Sequence, residues 1–291
     1  GASMNDIRNS QNYLHSQRLV SSLIANSDIA TDDLLVEIGP GKGIITDALL
    51  ERGCKVIAIE MDFSLFNILK NRYSNNEQIN IVYGDFLEFH LPSVKYKVFS
   101  NIPFNITAAI MKKLFTATTP PEDMYLIMQQ EAFYKYAGEP FAANGLRSLM
   151  YKPWFEPEII HHFQPTDFTP VPRARIVLAR FQRKAISDVQ DTYKYEYLDF
   201  IAFIYLEPGE IFSEKFKRLF SYEQQKRVKK NCSINNMPIS SWSYKQWLTL
   251  FEVYQEIVPI ERKQLVAGSN KRLLKQQNKV QKVHRNRAQR S

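Results

Sequence analysis

Cysteine is scarce in this 291-residue chain, and long apolar runs are missing from it. The two cysteines, Cys54 and Cys232, lie far apart, which argues against a disulfide scaffold or a zinc site and favours a reducing, cytoplasmic environment. No run of about 18 apolar residues is present, so we expect no membrane span and no membrane partner. The polar start, from Met4 to Leu14, lacks the apolar core of a signal peptide.

Acidic residues are absent from the end of the chain. Residues 271–291 contain eight Lys and Arg residues, and without them 30 basic residues balance 30 acidic ones, so this segment carries the whole net charge of +8. A basic, polar end is typical of a solvated tail, and polyanion binding is the functional alternative. We therefore predict a disordered basic tail over 266–291.

The first half alternates apolar runs with amphipathic stretches, which indicates an α/β fold with a mostly parallel sheet covered on both faces. Residues 159–163 and 175–181 could add an antiparallel pair and complete a seven-stranded, Rossmann-like sheet. The other predicted strands are 34–38, 56–59, 79–83, 97–100 and 124–128, with helices over 44–52, 64–73 and 107–116.

After about Arg183 the strand pattern ends. We predict an α/β domain over 10–183 and a helical domain over 184–265. Residues 1–9 are interpreted as a cloning remnant, Gly-Ala-Ser before Met4, followed by a flexible N-terminus. The helices predicted in the second domain cover 193–206, 211–220, 222–230 and 244–254.

A glycine-rich loop follows the first predicted strand, and acidic residues end the next two. Gly39, Gly41 and Gly43 let the backbone approach a ligand closely before a helix begins. Glu60, about twenty residues on, can accept hydrogen bonds from ribose hydroxyls, and Asp85 can accept one from an adenine amino group. Together they predict a nucleoside-containing cofactor.

Two cofactor classes fit such a loop. The Gly-Pro-Gly-Lys-Gly sequence lacks the Gly-x-Gly-x-x-Gly spacing of NAD sites. Glu37, just before the loop, would repel a pyrophosphate and suits a cationic sulfonium ligand better. We therefore favour S-adenosylmethionine over NAD.

The tetrapeptide Asn101-Ile102-Pro103-Phe104 follows the fourth predicted strand. The Asn101 side-chain oxygen and a backbone carbonyl near Ile102 and Pro103 could accept hydrogen bonds from an exocyclic amine and free its lone pair for attack on a methyl carbon. Phe104 could stack on the base, an interaction of roughly 1–3 kcal/mol. A proline-rich loop over 163–172 could supply the second face of such a sandwich.

These motifs resemble the ribosomal RNA adenine N6-methyltransferases, with Ser10 to Leu14 and Phe168 to Pro172 completing the match over about 10–182. One branch, Erm, methylates 23S rRNA and confers resistance to macrolides, lincosamides and streptogramin B. The other, KsgA/Dim, dimethylates adjacent adenines of small-subunit rRNA. Gly41-Lys42-Gly43 and Asn101 to Thr107 resemble Erm more closely, and a basic tail occurs in some Erm proteins.

The resemblance implies cofactor contacts from Asn12, Leu14, Gly39, Glu60, Asp85 and Asn101, and base stacking by Phe168. It also implies a cytoplasmic monomer acting on 23S rRNA before the subunit is complete, with no metal. Phe104 departs from the family's frequent Tyr, and Arg173-Ala174-Arg175 departs from its Lys-Val-Asx-Ser sequence, so no serine role is transferred. We assign tentative RNA contacts to Lys215, Lys217, Arg218, Lys226, Arg227, Lys229, Lys230, Lys271 and Arg272, with Arg147 and Lys152 as further candidates.

Three alternatives remain open at this point. The chain could be a KsgA/Dim-type dimethyltransferase, or a non-enzymatic nucleic-acid-binding relative such as the mitochondrial transcription factors of the superfamily. The third alternative is a DNA or small-molecule methyltransferase. DNA enzymes usually carry an acidic residue where this chain has Asn101, and every methyl-transfer position is present. Both observations favour an active RNA methyltransferase.

Overall fold

The computed structural model describes residues 11–290, without the side chains of 284, 285 and 288–290. The predicted cloning remnant and flexible N-terminus, residues 1–9, lie outside this range. The chain forms two compact units. The first runs to Tyr134 and resumes over Phe155–Arg183, and the second comprises Lys135–Trp154 and the chain from Lys184 onward. The predicted boundary near 183 is therefore incomplete, because an internal segment belongs to the helical unit.

A seven-stranded sheet forms the centre of the first unit, in the order β4-β3-β2-β5-β6-β9-β7. Neighbouring strands from β4 through β6 run parallel, and β9 pairs antiparallel with both β6 and β7. The predicted α/β class with a mostly parallel sheet and an antiparallel closing pair is confirmed. The strands are β2 (Leu34–Ile38), β3 (Lys55–Glu60), β4 (Ile79–Tyr83), β5 (Lys97–Asn101), β6 (Asp123–Gln129), β7 (Phe155–His162) and β9 (Ile176–Arg183).

The central strands are buried on both faces, which explains their nearly continuous apolar sequences. Residues 124–128 of β6 are all buried, as are Val98 and Phe99 of β5. The helices of this unit are α1 (Gln17–Ala25), α2 (Ile44–Glu51), α3 (Phe63–Arg72), α4 (Thr107–Thr116) and most of α5 (Gln130–Ala137). Two short strands, β1 (Tyr13–Leu14) and β8 (Phe168–Thr169), form a separate antiparallel pair.

The second unit is helical, as predicted. Tyr197 donates to the Leu149 carbonyl, and Asn144 Nδ2 lies 3.3 Å from the Trp242 carbonyl, so both bonds hold the 135–154 segment within this unit. The predicted helix over 211–220 is a single turn followed by irregular chain. The helices of the second unit are α6 (Leu146–Tyr151), α7 (Lys194–Leu206), α8 (Phe212–Lys215), α9 (Tyr222–Asn231), α10 (Tyr244–Ile257), α11 (Ile260–Val266) and α12 (Ser269–Arg290).

The predicted disorder of the tail is wrong, because Ser269–Arg290 is the helix α12. Asp199 on α7 accepts hydrogen bonds from the backbone N–H groups of Gly268 and Asn270, at 3.1 and 2.9 Å. These bonds satisfy donors that a helix start leaves open. Leu273 is buried, and the Lys, Gln and Arg residues that follow are good helix formers. Among the described residues, no helix is long and apolar enough to cross a membrane.

Candidate active site

The carboxyl ends of the parallel strands bring the predicted cofactor residues together, as expected for such a sheet. A cavity opens there. Gly39, Gly41, Glu60, Asp85 and Pro103 line it. Sequence reasoning missed the other lining residues, which are Gln11, Tyr13, Ile38, Ile59, Met61, Asp62, Leu65, Gly84, Phe86 and Ile106.

The glycine loop has a backbone conformation that residues with a Cβ rarely adopt. Gly39 and Gly41 have φ angles of 61° and 58°, in the left-handed region that favours glycine. A Cβ on Gly41 would lie 3.3 Å from the Tyr13 ring, whereas a Cβ on Gly39 would meet no protein atom within 4 Å. Gly39 therefore borders open space in the cavity, where a ligand can approach the backbone.

Glu60 holds the loop in place. Its Oε1 accepts from the Gly41 N–H at 3.1 Å and its Oε2 accepts from the Asp62 N–H at 2.9 Å. These two hydrogen bonds tie the glycine loop to the residues that follow β3. Glu60 thus organises the glycine loop in addition to its predicted role as a ligand acceptor.

Asp85 lies at the start of a short turn of 3₁₀ helix on the other side of the cavity. Its Oδ1 accepts from the Leu87 N–H at 2.9 Å. Lys113 of α4 secures the same turn, because its Nζ donates to the carbonyls of Leu87, at 3.1 Å, and Phe89, and lies 5.1 Å from the Phe86 ring centroid. Burial lowers the pKa of Lys113.

The sequence suggested that Glu37 is a charged residue beside the glycine loop, but its environment in the structure is different. It is buried and accepts a hydrogen bond from the Thr46 hydroxyl. Burial raises its pKa from 4.5 to about 8. The side chain is therefore mostly protonated at neutral pH, and the predicted repulsion of a pyrophosphate by its charge is not supported.

The N-terminal segment reaches the cavity through different residues from those predicted. Gln11 and Tyr13 line the cavity, whereas Leu14 is buried in the hydrophobic core opposite Phe168 of β8. Side chains alternate along a strand, so Tyr13 and Leu14 point to opposite faces. Asn12 is outside the cavity lining, and its Nδ2 donates to the Pro170 carbonyl at 2.7 Å. Cofactor contact by the Asn12 and Leu14 side chains is therefore not supported.

Asn101 ends β5 with one side of its amide fixed. Its Nδ2 donates to the Asn12 carbonyl at 2.7 Å, and its own carbonyl accepts from Gln11 Nε2 at 3.2 Å. Its Oδ1 is buried and has no hydrogen-bond partner among the described residues. Buried acceptors are normally paired, so this oxygen marks a place for a donor from a bound molecule.

The other residues of the tetrapeptide differ in burial. Ile102 is fully buried, and its N–H donates to the Ile127 carbonyl at 3.3 Å. The Pro103 carbonyl already accepts from the Ile106 N–H at 3.3 Å. Phe104 is half-buried and packs against the hydrophobic core, so part of its ring remains exposed.

Phe168 does not present an open ring in this conformation. It is 1 % exposed and makes an edge-to-face contact with Phe163, with centroids 5.3 Å apart. Stacking on a base at this position would require the ring to leave the core. The expected base sandwich is therefore supported on the Phe104 side alone.

Several predicted RNA contacts in the helical unit are occupied within it. Lys215 is buried and donates to the Glu207 carbonyl at 2.6 Å, and burial lowers its pKa. Lys152 is also buried and donates to the Ala137 carbonyl at 3.0 Å. These two are corrected to structural roles, since their cations are held by backbone carbonyls. Arg218 pairs with Glu207 at 2.8 Å, and Arg272 donates to the Leu265 carbonyl at 2.9 Å.

The remaining basic candidates are accessible on the surface of this unit. Lys229 is half-buried and donates to the Asn236 side chain at 3.1 Å. Arg147 lies 5.6 Å from the Tyr136 ring centroid. The exposed cations of this set are Arg147, Lys217, Lys226, Arg227, Lys230 and Lys271.

The site fits S-adenosylmethionine. Open space lies where Gly39 lacks a Cβ, and Glu60 and Asp85 offer acceptors for ribose hydroxyls and an adenine amino group at the same cavity. Within the described range, no group of three or more His, Cys, Asp or Glu side chains is placed so that it could hold a metal ion.

Comparison with known proteins agrees with this geometry. The chain is 26% identical to an rRNA adenine N-6-methyltransferase of Bacillus anthracis over 85% of this chain and 86% of the relative. It is 29% identical to one of Escherichia coli, over 86% and 96%.

Two crystal structures share the fold. The 23S rRNA methyltransferase ErmE superposes with a TM-score of 0.74 at 23% identity, covering 84% of this chain and all of ErmE. A dimethyladenosine transferase from Plasmodium falciparum gives 0.68 at 17% identity, covering 84% and 97%. The family profile described as ribosomal RNA adenine dimethylase matches residues 3–256. The chain therefore belongs to the ribosomal RNA adenine dimethylase family, and it is an S-adenosylmethionine-dependent rRNA adenine N6-methyltransferase.

Proposed function

We propose that this enzyme methylates N6 of an adenine in 23S rRNA and thereby confers resistance to macrolides, lincosamides and streptogramin B. The observation that carries the chemistry is the buried Oδ1 of Asn101, which has no hydrogen-bond partner in the described part of the chain. An adenine amino group is a donor of the kind that this oxygen lacks. S-adenosylmethionine, when bound, supplies an electrophilic methyl carbon.

The residues at the end of β5 activate the amine by holding its two N–H groups. The N6 lone pair is delocalised into the purine ring, so the free amine is a poor nucleophile. We assign Asn101 Oδ1 and the Ile102 carbonyl as the two acceptors, because the Pro103 carbonyl already accepts from Ile106. Acceptors fixed in this way also stabilise the positive charge that develops on N6 during transfer.

A base inside an RNA helix must leave its stack before it can reach Asn101. Extrusion costs a few kcal/mol, and stacking on the exposed part of Phe104 offsets roughly 1–3 kcal/mol. Phe104 lacks a hydroxyl, so it contributes contact area and no hydrogen bond. The exposed cations of the helical unit supply phosphate contacts in this proposal.

The choice of 23S rRNA rests on two supports. The Gly41-Lys42-Gly43 and Asn101–Thr107 sequences resemble the Erm branch, and ErmE is described as a 23S rRNA methyltransferase. The similarity to a dimethyladenosine transferase makes small-subunit rRNA the second candidate. We propose that the substrate is naked or partly assembled RNA, and that the enzyme acts as a monomer.

Expression in a macrolide-sensitive bacterium separates the two substrates. We expect raised erythromycin and clindamycin inhibitory concentrations, and a methylated adenine in 23S rRNA, with wild type and not with Asn101→Ala. Methylation confined to 16S rRNA would overturn the 23S assignment in favour of the second candidate. Methyl transfer to DNA and to no RNA would contradict the enzyme class itself.

A further inference from the structure

A second cleft opens beside the end of β6 in the first unit. Its walls come from α5, the end of β7 and the loop before β9. The polar and aromatic lining residues on which the argument depends are Gln130, Tyr134, His162, Phe163, Arg173 and Arg175.

Two arginine side chains, Arg173 and Arg175, give this cleft a positive charge. Arg173 and Arg175 are both exposed, and neither forms an ion pair among the described residues. The cleft lining contains no acidic residue. Guanidinium groups are the side chains best suited to phosphate because they present several donors in one plane.

Aromatic rings complete the cleft. Tyr134 is partly exposed on α5, whereas Phe163 is 8% exposed and packs edge to face against His161, with centroids 4.8 Å apart. Phe163 therefore forms part of the wall of the cleft, and Tyr134 offers a ring on which a base can stack without sequence preference. Cations beside aromatic rings indicate a nucleotide as the ligand class.

The cleft lies at the same sheet edge as the catalytic amide. Asn101 is opposite Ile127 of β6, and Gln130, three residues further on, donates its N–H to the Arg175 carbonyl at 2.9 Å. Three residues of strand span roughly 10 Å. A neighbouring part of the RNA strand that carries the target base would therefore lie near Arg173 and Arg175.

We propose that this cleft binds a nucleotide adjoining the target adenosine, with Arg173 and Arg175 on its phosphates and Tyr134 against its base. The inference rests on the proposed methylation of RNA and adds a specificity-determining site to it. Phosphate contacts position the strand, so the site would hold the substrate while the target base turns toward Asn101.

The test compares paired variants using full-length enzyme and 23S rRNA transcribed in vitro. The test variants are Arg173→Ala/Arg175→Ala and Arg173→Lys/Arg175→Lys. The control, Lys55→Ala/Lys95→Ala, removes the same charge near the starts of β3 and β5, at the opposite edge of the sheet. The readouts are kcat and KM for RNA, their salt dependence, and the Kd for S-adenosylmethionine as a check on folding.

We expect the double alanine variant to raise the RNA KM at least about tenfold, with a salt slope shallower by about one to two. Its Kd for S-adenosylmethionine should stay unchanged, the lysine pair should recover part of the loss, and the control pair should behave as wild type. Tyr134→Ala should raise the RNA KM, and Tyr134→Phe should not.

Three outcomes have separate meanings. An unchanged KM in the double alanine variant, with active wild type, overturns this inference alone. Adenosine monophosphate that binds wild type and not the double variant, while the RNA KM is unchanged, shows a free-nucleotide site and also overturns it. Absence of methyl transfer to any RNA by wild type overturns the proposed function instead.

Discussion

Asn101 Nδ2 donates a 2.7 Å hydrogen bond to the backbone carbonyl of Asn12, which lies 89 positions earlier in the chain. This bond fixes the amide so that Nδ2 is satisfied and Oδ1 remains the acceptor. The side chain of Asn12 in turn donates to the Pro170 carbonyl. Orientation of the Asn101 amide therefore depends on three separate chain segments.

Asn101→Ala should lower kcat at least about 100-fold, because a preorganised polar contact to the reacting group is lost. The Kd for RNA should change little. Asn12→Ala is the matched control, since it keeps the backbone carbonyl that Asn101 contacts and removes the bond to Pro170. It should cause a smaller loss of kcat. Single-turnover methyl transfer with labelled cofactor measures both, and equal rates for wild type and Asn101→Ala would refute the assigned role.

Lys113→Met should raise the Kd for S-adenosylmethionine about three- to tenfold. Lys113 fixes the carbonyls of Leu87 and Phe89, and its loss would loosen the turn that presents Asp85. Lys112, exposed on the same helix, provides the control Lys112→Met. Calorimetric titration of the cofactor measures the difference. If both variants bind as wild type does, Lys113 has no positioning role.

The buried Glu37 should make stability depend on pH. Its pKa is 4.5 when unfolded and about 8 in the folded protein, so the folded state retains a proton that the unfolded state releases between these values. The contribution of Glu37 to stability is fully present below about pH 4.5 and is lost as pH rises through about 8. The slope is about 1.4 kcal/mol per pH unit for one fully retained proton.

Urea denaturation at pH 5.5 and pH 8 tests this contribution. Glu37→Gln should reduce the difference in free energy of unfolding between the two pH values, because glutamine does not titrate. The exposed Glu51→Gln should leave it unchanged. A difference as large in Glu37→Gln as in wild type would contradict proton retention by Glu37.

The basic helix α12 should bind RNA phosphates. Deleting the chain after Ser269 would also remove the buried Leu273, so substitution is the cleaner test. Lys271→Gln/Lys275→Gln/Lys279→Gln should weaken RNA binding and make its salt slope shallower by up to about three. The corresponding triple arginine variant keeps the charge and should bind as wild type does. Equal salt slopes for the glutamine variant and wild type would exclude α12 from the interface.

Most of the parallel sheet could be predicted because its central strands are buried on both faces and have nearly continuous apolar sequences. The strand ends then predicted that Gly39, Glu60 and Asp85 would lie at one edge of the sheet, and all three line the same cavity there. Burial was harder to predict. Lys215 is an ordinary cation in the sequence, and only the folded chain brings the Glu207 carbonyl to it.

The N-terminal contacts required long-range information. A two-residue strand has no periodicity of its own, so its pairing with Phe168–Thr169 decides that Tyr13 faces the cavity and Leu14 the core. The helix α12 was missed for a different reason. Its polar composition suggested disorder, whereas its start is stabilised by Asp199, about seventy residues earlier in the chain.

The bond from Asn12 to Pro170 also has a consequence for synthesis of the protein. A nascent chain that ends before Pro170 already contains Glu60, Asp85 and Asn101, yet it lacks the carbonyl that anchors the Asn12 side chain. It also lacks the strand with which Tyr13 and Leu14 pair. The segments that carry Glu60, Asp85 and Asn101 are thus made early, whereas the anchor of the Asn12 side chain lies in the last part of the α/β unit.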